Sequence, residues 1–250
     1  MEEKRKIVQV NSGRRIQKQD LVATEIALTI WLNRRKYFYL PCSPEHLKYL
    51  VTGLLFTSGI ITSKSEISKM EMRGYHCHVE IEKARFRAFE KNQKQSPALA
   101  LKNIPGKSWK IKNSPVTISA KKVQQLVAYL QKYSRLFLRT GCLHAAGLAK
   151  DGQLICLHED VGRHNAIDKV VGECVMKDMD MSDKILLFSG RMSAEIVLKT
   201  CRAGIPIVVS PAPPTSRGVE IAEKQNITLI GFARGNRFNV YSHWKRLEND

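Results

Sequence analysis

Residues 184–232 read KILLFSGRMSAEIVLKTCRAGIPIVVSPAPPTSRGVEIAEKQNITLIGF, and this stretch decides the fold. Three apolar runs, 184–188, 205–209 and 228–232, are separated by two amphipathic segments, 193–201 and 217–225. The runs are continuous rather than alternating, as expected of parallel strands covered on both faces. The spacing predicts strand–helix–strand–helix–strand and an α/β class. Upstream, residues 162–176 carry Ile167, Val170, Val171 and Val175 at helical spacing. Further upstream, the runs 144–149 and 153–158 flank Asp151-Gly152, a hairpin signal. Ser119 is placed to cap a helix with Val123, Leu126, Val127 and Leu130 on its apolar side. Residues 238–241 add a last strand.

The N-terminal half reads differently. Residues 1–20 are polar and basic and read as a loose arm. Residues 25–31 and 37–40 read as a hairpin around Asn33-Arg-Arg-Lys36. Ser43-Pro44 is a helix-start signal, followed by Leu47, Leu50, Val51, Leu54 and Leu55 and stopped by Gly59. Residues 70–82 alternate and read as one half-buried strand with an irregularity at Gly74, its His76 and His78 on the solvated face. Residues 90–118 read as a long turn-rich loop. The predicted organisation is a basic arm (1–20), a small β-rich part with a helix and a long loop (21–118), and an α/β domain (119–250), α+β overall.

Composition narrows the class. The chain has 250 residues, 43% hydrophobic and 26% charged, enough for a real core without disulfide staples. Disorder, collagen and coiled coil are thereby set aside. Lys plus Arg is 41 against 23 for Asp plus Glu, a net charge of +18. That excess concentrates anions around the protein without choosing between nucleic acid, acidic protein, anionic membrane and a pyrophosphate cofactor. The apolar stretch 49–61 is too short to span a bilayer, and the first residues lack the apolar core of a secretory signal. Six cysteines, Cys42, Cys77, Cys142, Cys156, Cys174 and Cys201, show no C-x-x-C spacing, so no zinc or redox pair is legible. A cytoplasmic protein with reduced thiols is expected.

In open α/β sheets, ligands bind beyond the carboxyl ends of the strands. Here those ends read Glu159-Asp-Val-Gly-Arg-His164, Ser189-Gly-Arg-Met-Ser193, Ser210-Pro-Ala-Pro-Pro-Thr215 and Ala233-Arg-Gly-Asn-Arg237. They converge on an anion pocket of Arg163, Arg191, Arg234 and Arg237, with helix N-termini adding N–H donors. Asp160 is expected either to orient Arg163 or His164 or to cap the helix after Gly162. His144-Ala-Ala146 lacks the Glu of the zinc-deaminase H-x-E signature and no C-x-x-C follows, so no metal is expected and zinc deamination is excluded. Cys142, two residues before His144 and near Arg139, has the surroundings of a nucleophilic thiol, or else is a small buried residue. Cys42, just before the helix start, is a second place where a helix dipole favours a thiolate.

These segments together resemble the FdhD/NarQ family of formate dehydrogenase accessory proteins. Thr140-Gly-Cys-Leu-His-Ala-Ala146 is similar to the family's T-G-G-x-H-A-A, and Glu159-Asp-Val-Gly-Arg-His-Asn-Ala-Ile-Asp-Lys169 to its E-D-V-G-R-H-N-A-x-D-K. Ser189-Gly-Arg-Met-Ser193, Gly231-Phe-Ala-Arg-Gly235 with Asn239-Val-Tyr241, and upstream Ser43-Pro44, Gly53-Leu-Leu-Phe56 and Gly59-Ile60 match too. The resemblance spans roughly residues 20–247. It implies a cytidine-deaminase-like α/β domain behind a small N-terminal domain. It also implies a sulfurtransferase role: a cysteine desulfurase loads a persulfide, which is passed to a molybdenum bis(molybdopterin guanine dinucleotide) cofactor destined for the formate dehydrogenase apoenzyme. That cofactor would be bound cargo, mimicked by GDP. The implied binding residues are Phe232, Ala233, Arg234, Gly235, Asn236 and Arg237, with Arg163, Arg191 and His144.

One departure matters. The family's persulfide cysteines lie in a C-G-x-C-G loop before the T-G-G-x-H segment, and residues 89–105 contain no cysteine. Cys142, where the family has Gly, is the thiol that could substitute. The alternatives are a sulfur carrier using Cys142 or a cofactor-binding chaperone without sulfur transfer. A nucleic-acid binder rests on charge alone and lacks RRM or KH motifs. No nucleic-acid or membrane partner is expected, and a homodimer is compatible with the sequence.

Overall fold

The computed structural model describes residues 1–82, 86, 111 and 114–248. Three sheets organise them. The strands β1 (Glu2–Asn11) and β2 (Arg14–Ala23) form a two-stranded ribbon. The strands β3 (Ile26–Leu32), β4 (Arg35–Cys42), β5 (Ile67–Arg73) and β6 (His76–Ile81) form a sheet in the order β4-β3-β6-β5, with helix α1 (Leu47–Thr57) inserted after β4. The third sheet holds β7 (His144–Lys150), β8 (Gln153–Asp160), β9 (Ile185–Phe188), β10 (Ile207–Val209), β11 (Thr228–Arg234) and β12 (Arg237–Val240) in the order β12-β11-β10-β9-β7-β8. Its helices are α2 (Ala120–Tyr133), α3 (Arg135–Thr140), α4 (Arg163–Met176), α5 (Ala194–Arg202) and α6 (Ser216–Gln225).

The apolar runs of the opening stretch are β9, β10 and β11, paired in parallel and buried on both faces. The strand β7 runs antiparallel to β9 and to β8, so β8 points the same way as β9. The carboxyl ends of β8, β9, β10 and β11 therefore share one edge of the sheet, and His144, the first residue of β7, sits at that edge opposite Asp160.

Four expectations for the N-terminal half are corrected. Residues 1–20 are not a loose arm but most of the ribbon. Its tight turn at Ser12-Gly13 has positive φ at both positions (47° and 82°), the type I′ geometry that matches strand twist. Residues 70–82 are not one strand: Gly74, at φ 58°, turns the chain so that β5 and β6 pair antiparallel. His76 is exposed, while His78 stacks on Trp31. Ser43 is not a helix cap. It is buried, its N–H donates to Asp160 Oδ2 (3.1 Å), its Oγ accepts from the Val161 N–H (3.2 Å), and α1 begins only after His46. Most of the expected loop 90–118 lies outside the described residues.

The two larger sheets are joined by α1 crossing α4 at backbone distance. A Cβ on Gly53 would stand 1.8 Å from Asp168 O, and one on Gly172 1.8 Å from Tyr49 O. No side chain fits between these helices. Two buried ion pairs flank the crossing. Lys169 Nζ meets Asp160 Oδ2 at 2.7 Å with both side chains fully buried. Lys199 Nζ meets both Asp168 oxygens at 2.7 Å, and the Thr57 hydroxyl of α1 donates to Asp168 at 2.7 Å. Arg202 adds a hydrogen bond to Thr57 O.

Candidate functional site

A cleft of about 660 Å³ opens at the edge where the strands end. It is lined on one wall by Phe137, Leu138 and Cys142, and on the other by His144, Ser189, Pro211 and Arg234. The helix α3 carries the first wall. Its N-terminus is capped by Glu159, whose carboxylate accepts from the Leu136 N–H (3.0 Å) and the Phe137 N–H (2.8 Å). Its C-terminus closes on Gly141 at φ 68°, and the next residue is Cys142.

Cys142 is exposed, whereas Cys42, Cys77, Cys174 and Cys201 are buried and Cys156 is partly covered. Burial pushes the Cys42 and Cys201 thiols up to about 12 and the Cys77 thiol up to about 11. The helix-dipole expectation for Cys42 is thus corrected: desolvation outweighs any dipole. Arg139 is ion-paired with Glu2 of the ribbon rather than left facing Cys142.

Ser189 organises the opposite wall. Its Oγ accepts from the Ala145 N–H at 2.9 Å and lies 3.4 Å from His144 Nδ1. Burial, then Arg163, then Arg191, hold His144 below the usual histidine range, so its ring is neutral at pH 7. Arg163 and Arg191 are thus within electrostatic reach of the imidazole, although neither lines the cleft, whose lining arginine is Arg234. Arg163 opens α4, and its buried Nε has no hydrogen-bond partner. Ser193 precedes α5 and its buried Oγ is equally unpartnered. Two unmatched buried donors, one of them on Arg163 itself, suit an anion.

The segment 232–237 is split. Arg234 lines the cleft, its Nε donating to Pro211 O at 2.9 Å. Phe232 is held at φ 50° and its N–H reaches Ala212 O at 3.4 Å. The Ala233 side chain points into the core, leaving only backbone to the site. Gly235, Asn236 and Arg237 form the exposed β11–β12 tip outside the cleft lining, and the Asn236 carbonyl accepts from Gln124. Asp160 orients neither Arg163 nor His164. It is wholly buried and accepts from the Gly162 N–H (2.8 Å), Asn165 Nδ2 (2.9 Å) and the Ser43 N–H (3.1 Å), fastening the loop before α4 to the chain after β4.

Sequence reasoning missed Ser189 as an organiser and the apolar wall of α3. The signal for the second was present in Glu159, a carboxylate with no business beside an anion pocket unless it caps something.

The model of the FdhD/NarQ family matches residues 23–248. A protein named sulfur carrier protein FdhD from Bacillus licheniformis is 35% identical, covering 98% of this chain and 96% of its own. One of the same name from Staphylococcus haemolyticus is also 35% identical, covering 97% and 95%. The crystal structure of a protein assigned as a formate dehydrogenase accessory protein from Desulfotalea psychrophila superposes with a TM-score of 0.81 at 27% identity, covering 99% of each chain.

Proposed function

The chain belongs to the FdhD/NarQ family, and on that premise we propose that it is a formate dehydrogenase accessory protein that carries sulfur on Cys142. Its cargo is a molybdenum bis(molybdopterin guanine dinucleotide) cofactor held at the strand ends. The observation that carries this reading is a coincidence: the one exposed cysteine among the six lines the same cleft as Arg234 and His144. The curated relatives' name supports the sulfur role. The C-terminal sheet, residues 119–250, is read as the cytidine-deaminase-like cargo domain, and residues 21–118 as its support. The setting is cytoplasmic; no helix among the described residues is long and apolar enough to cross a membrane.

In the loading step the Cys142 thiolate attacks the terminal sulfur of a cysteine desulfurase persulfide. The donor's S–S bond breaks, its thiolate leaves, and Cys142 becomes the persulfide with no net change in oxidation state. Release of that sulfur as sulfide takes two electrons, which a second thiol supplies by forming a disulfide with Cys142. Arg163, Arg191 and Arg234 bind the phosphates of the cargo, with the Ser193 hydroxyl as a neutral donor. Neutral His144 hydrogen-bonds without adding charge.

The second reading, a cargo-binding chaperone without sulfur transfer, is favoured by the missing cysteines in residues 89–105. Incubation with a cysteine desulfurase and cysteine, followed by peptide mass spectrometry, separates the two. A one-sulfur increase on the Cys142 peptide, absent in Cys142→Ser, is the expected result. No modified cysteine, with GDP binding intact, leaves the chaperone.

A further inference from the structure

Among the described residues the β1–β2 ribbon pairs with no other strand. A lone two-stranded ribbon is marginal in water. This one also turns aliphatic side chains outward: Val8 is 56% and Val10 61% exposed, with Ile16 and Val22 nearly as open. Between them stand Lys4, Lys6, Arg14, Arg15 and Lys18, which make no ion pair among the described residues. The register assigns a face. Lys4 lies opposite Leu21, Lys6 opposite Gln19, Val8 opposite Gln17 and Val10 opposite Arg15, so Lys4, Lys6, Val8, Val10 and Arg15 share one side. At the base of that same side, Glu2 pairs with Arg139 of α3, and β2 packs on α3. The chain then runs from α3 through Gly141 into Cys142.

We propose that this face of the ribbon docks the acidic surface of the protein that loads Cys142, the sulfur donor; the inference rests on the sulfur-carrier reading. Charge complementarity selects the occupant. A second copy of a +18 chain would set cations against cations. A nucleic acid offers nothing to interleaved valines, and residues 2–23 contain no aromatic side chain on which a base could stack. An acidic protein surface with an apolar centre answers both features. Docking there seats the donor over α3, beside the exposed thiol.

The test compares the wild-type chain with Lys4→Glu/Lys6→Glu/Arg15→Glu, using two donors: a cysteine desulfurase with cysteine, and glutathione persulfide, which needs no docking. Loading of Cys142 is followed by mass spectrometry and desulfurase binding by calorimetry. In the triple variant, loading by the desulfurase should fall about tenfold or more, its binding should weaken in parallel, and loading by glutathione persulfide should be unchanged. Equal desulfurase binding by variant and wild type overturns the proposal. So does an equal loss with both donors, which would mean a disturbed cleft. A changed oligomeric state by light scattering would give the face to a second copy instead. Loss of random-oligonucleotide binding with desulfurase binding kept would give it to nucleic acid. If the wild type accepts sulfur from neither donor, the carrier reading fails, and the binding comparison alone then decides the ribbon.

Discussion

The seam between α1 and α4 and the rim of the cleft are both rich in charge, and they treat it in opposite ways. At the seam, Lys169, Lys199, Asp160 and Asp168 are buried, and each is paired. At the rim, Arg191 is exposed and Arg163 keeps an unpartnered buried nitrogen. Burying a charge is tolerable only when it is matched, so the seam's ions hold the architecture. Charges left unmatched at a concave edge cost stability through mutual repulsion and are compensated only by a ligand. The seam's cations, each matched by a carboxylate, add nothing to the net +18, whereas the unmatched arginines near the cleft belong to that excess and suit an anion.

The sharpest way to break this comparison is at the seam. Gly172→Ala puts a methyl where Tyr49 O stands 1.8 Å away, in a contact formed by two helix backbones that cannot yield locally. We expect a loss of about 5 kcal/mol, the upper end for one substitution, read by urea denaturation. Normal stability would mean the helices do not cross as described. Next in size, Lys199→Met strands Asp168 without its cation and should cost about 3–5 kcal/mol. The double variant Lys199→Met/Asp168→Leu should recover part of that loss. If the double is no better than the single, Asp168 was not held by charge.

The seam also explains which parts of the molecule were legible in the sequence. The β9–β11 runs announced themselves because both faces of each strand are buried, and the Asp151-Gly152 turn fixed β7 against β8. The strand ends follow from that topology, so the segments carrying Arg163, Arg191 and Arg234 are legible as neighbours at one edge of the sheet. What stayed hidden depends on contacts far apart in sequence. Ser43 reads as a cap by local rules, yet Asp160, 117 positions later, takes its N–H. Glu159 and Asp160 are neighbours with opposite destinations, one capping α3 and the other tying the seam, and strand alternation is what separates them. The ribbon was missed because its alternation does not separate apolar from polar: neither face is buried.

At the rim, Arg234→Ala should weaken GDP binding by roughly tenfold, the loss of one charge-assisted hydrogen bond. Unchanged affinity by calorimetry would remove Arg234 from the site. GDP should also slow iodoacetamide labelling of Cys142, which should react fastest of the six cysteines; faster labelling of Cys42 or Cys201 would contradict their burial.

A smaller effect, common to both regions, is read by pH. Burial, Lys199, Arg163 and His144 lower His164 from 6.5 to about 4, despite Glu195 at 3.4 Å. His158, buried beside Glu173, and His144 are lowered in the same direction. A histidine whose folded value lies below its unfolded one binds fewer protons when folded. Its stabilisation is complete above the unfolded value and is lost as pH falls toward the folded one. The melting temperature should therefore drop between pH 6.5 and 4, and His164→Gln should flatten that slope. A slope identical to that of the wild type would show that His164 is as easily protonated in the folded chain as in the unfolded one.

The smallest expected effect belongs to Arg237. It opens β12 directly across the hairpin from Arg234, is exposed, and stands outside the cleft lining. Its influence on a bound anion therefore runs through solvent, where charges separated by more than a Debye length of about 8 Å are largely screened at physiological salt. Arg237→Ala should cost GDP affinity less than about threefold at that salt and nothing measurable near 1 M, where screening is complete within about 3 Å. Arg234→Ala should keep part of its penalty at both salts, because a direct hydrogen bond is not screened away. Equal losses in the two variants, persisting at high salt, would move Arg237 into direct contact with the ligand. The β11–β12 tip would then have to fold over the cleft when cargo binds, and the rim would include all four arginines that the strand ends supply.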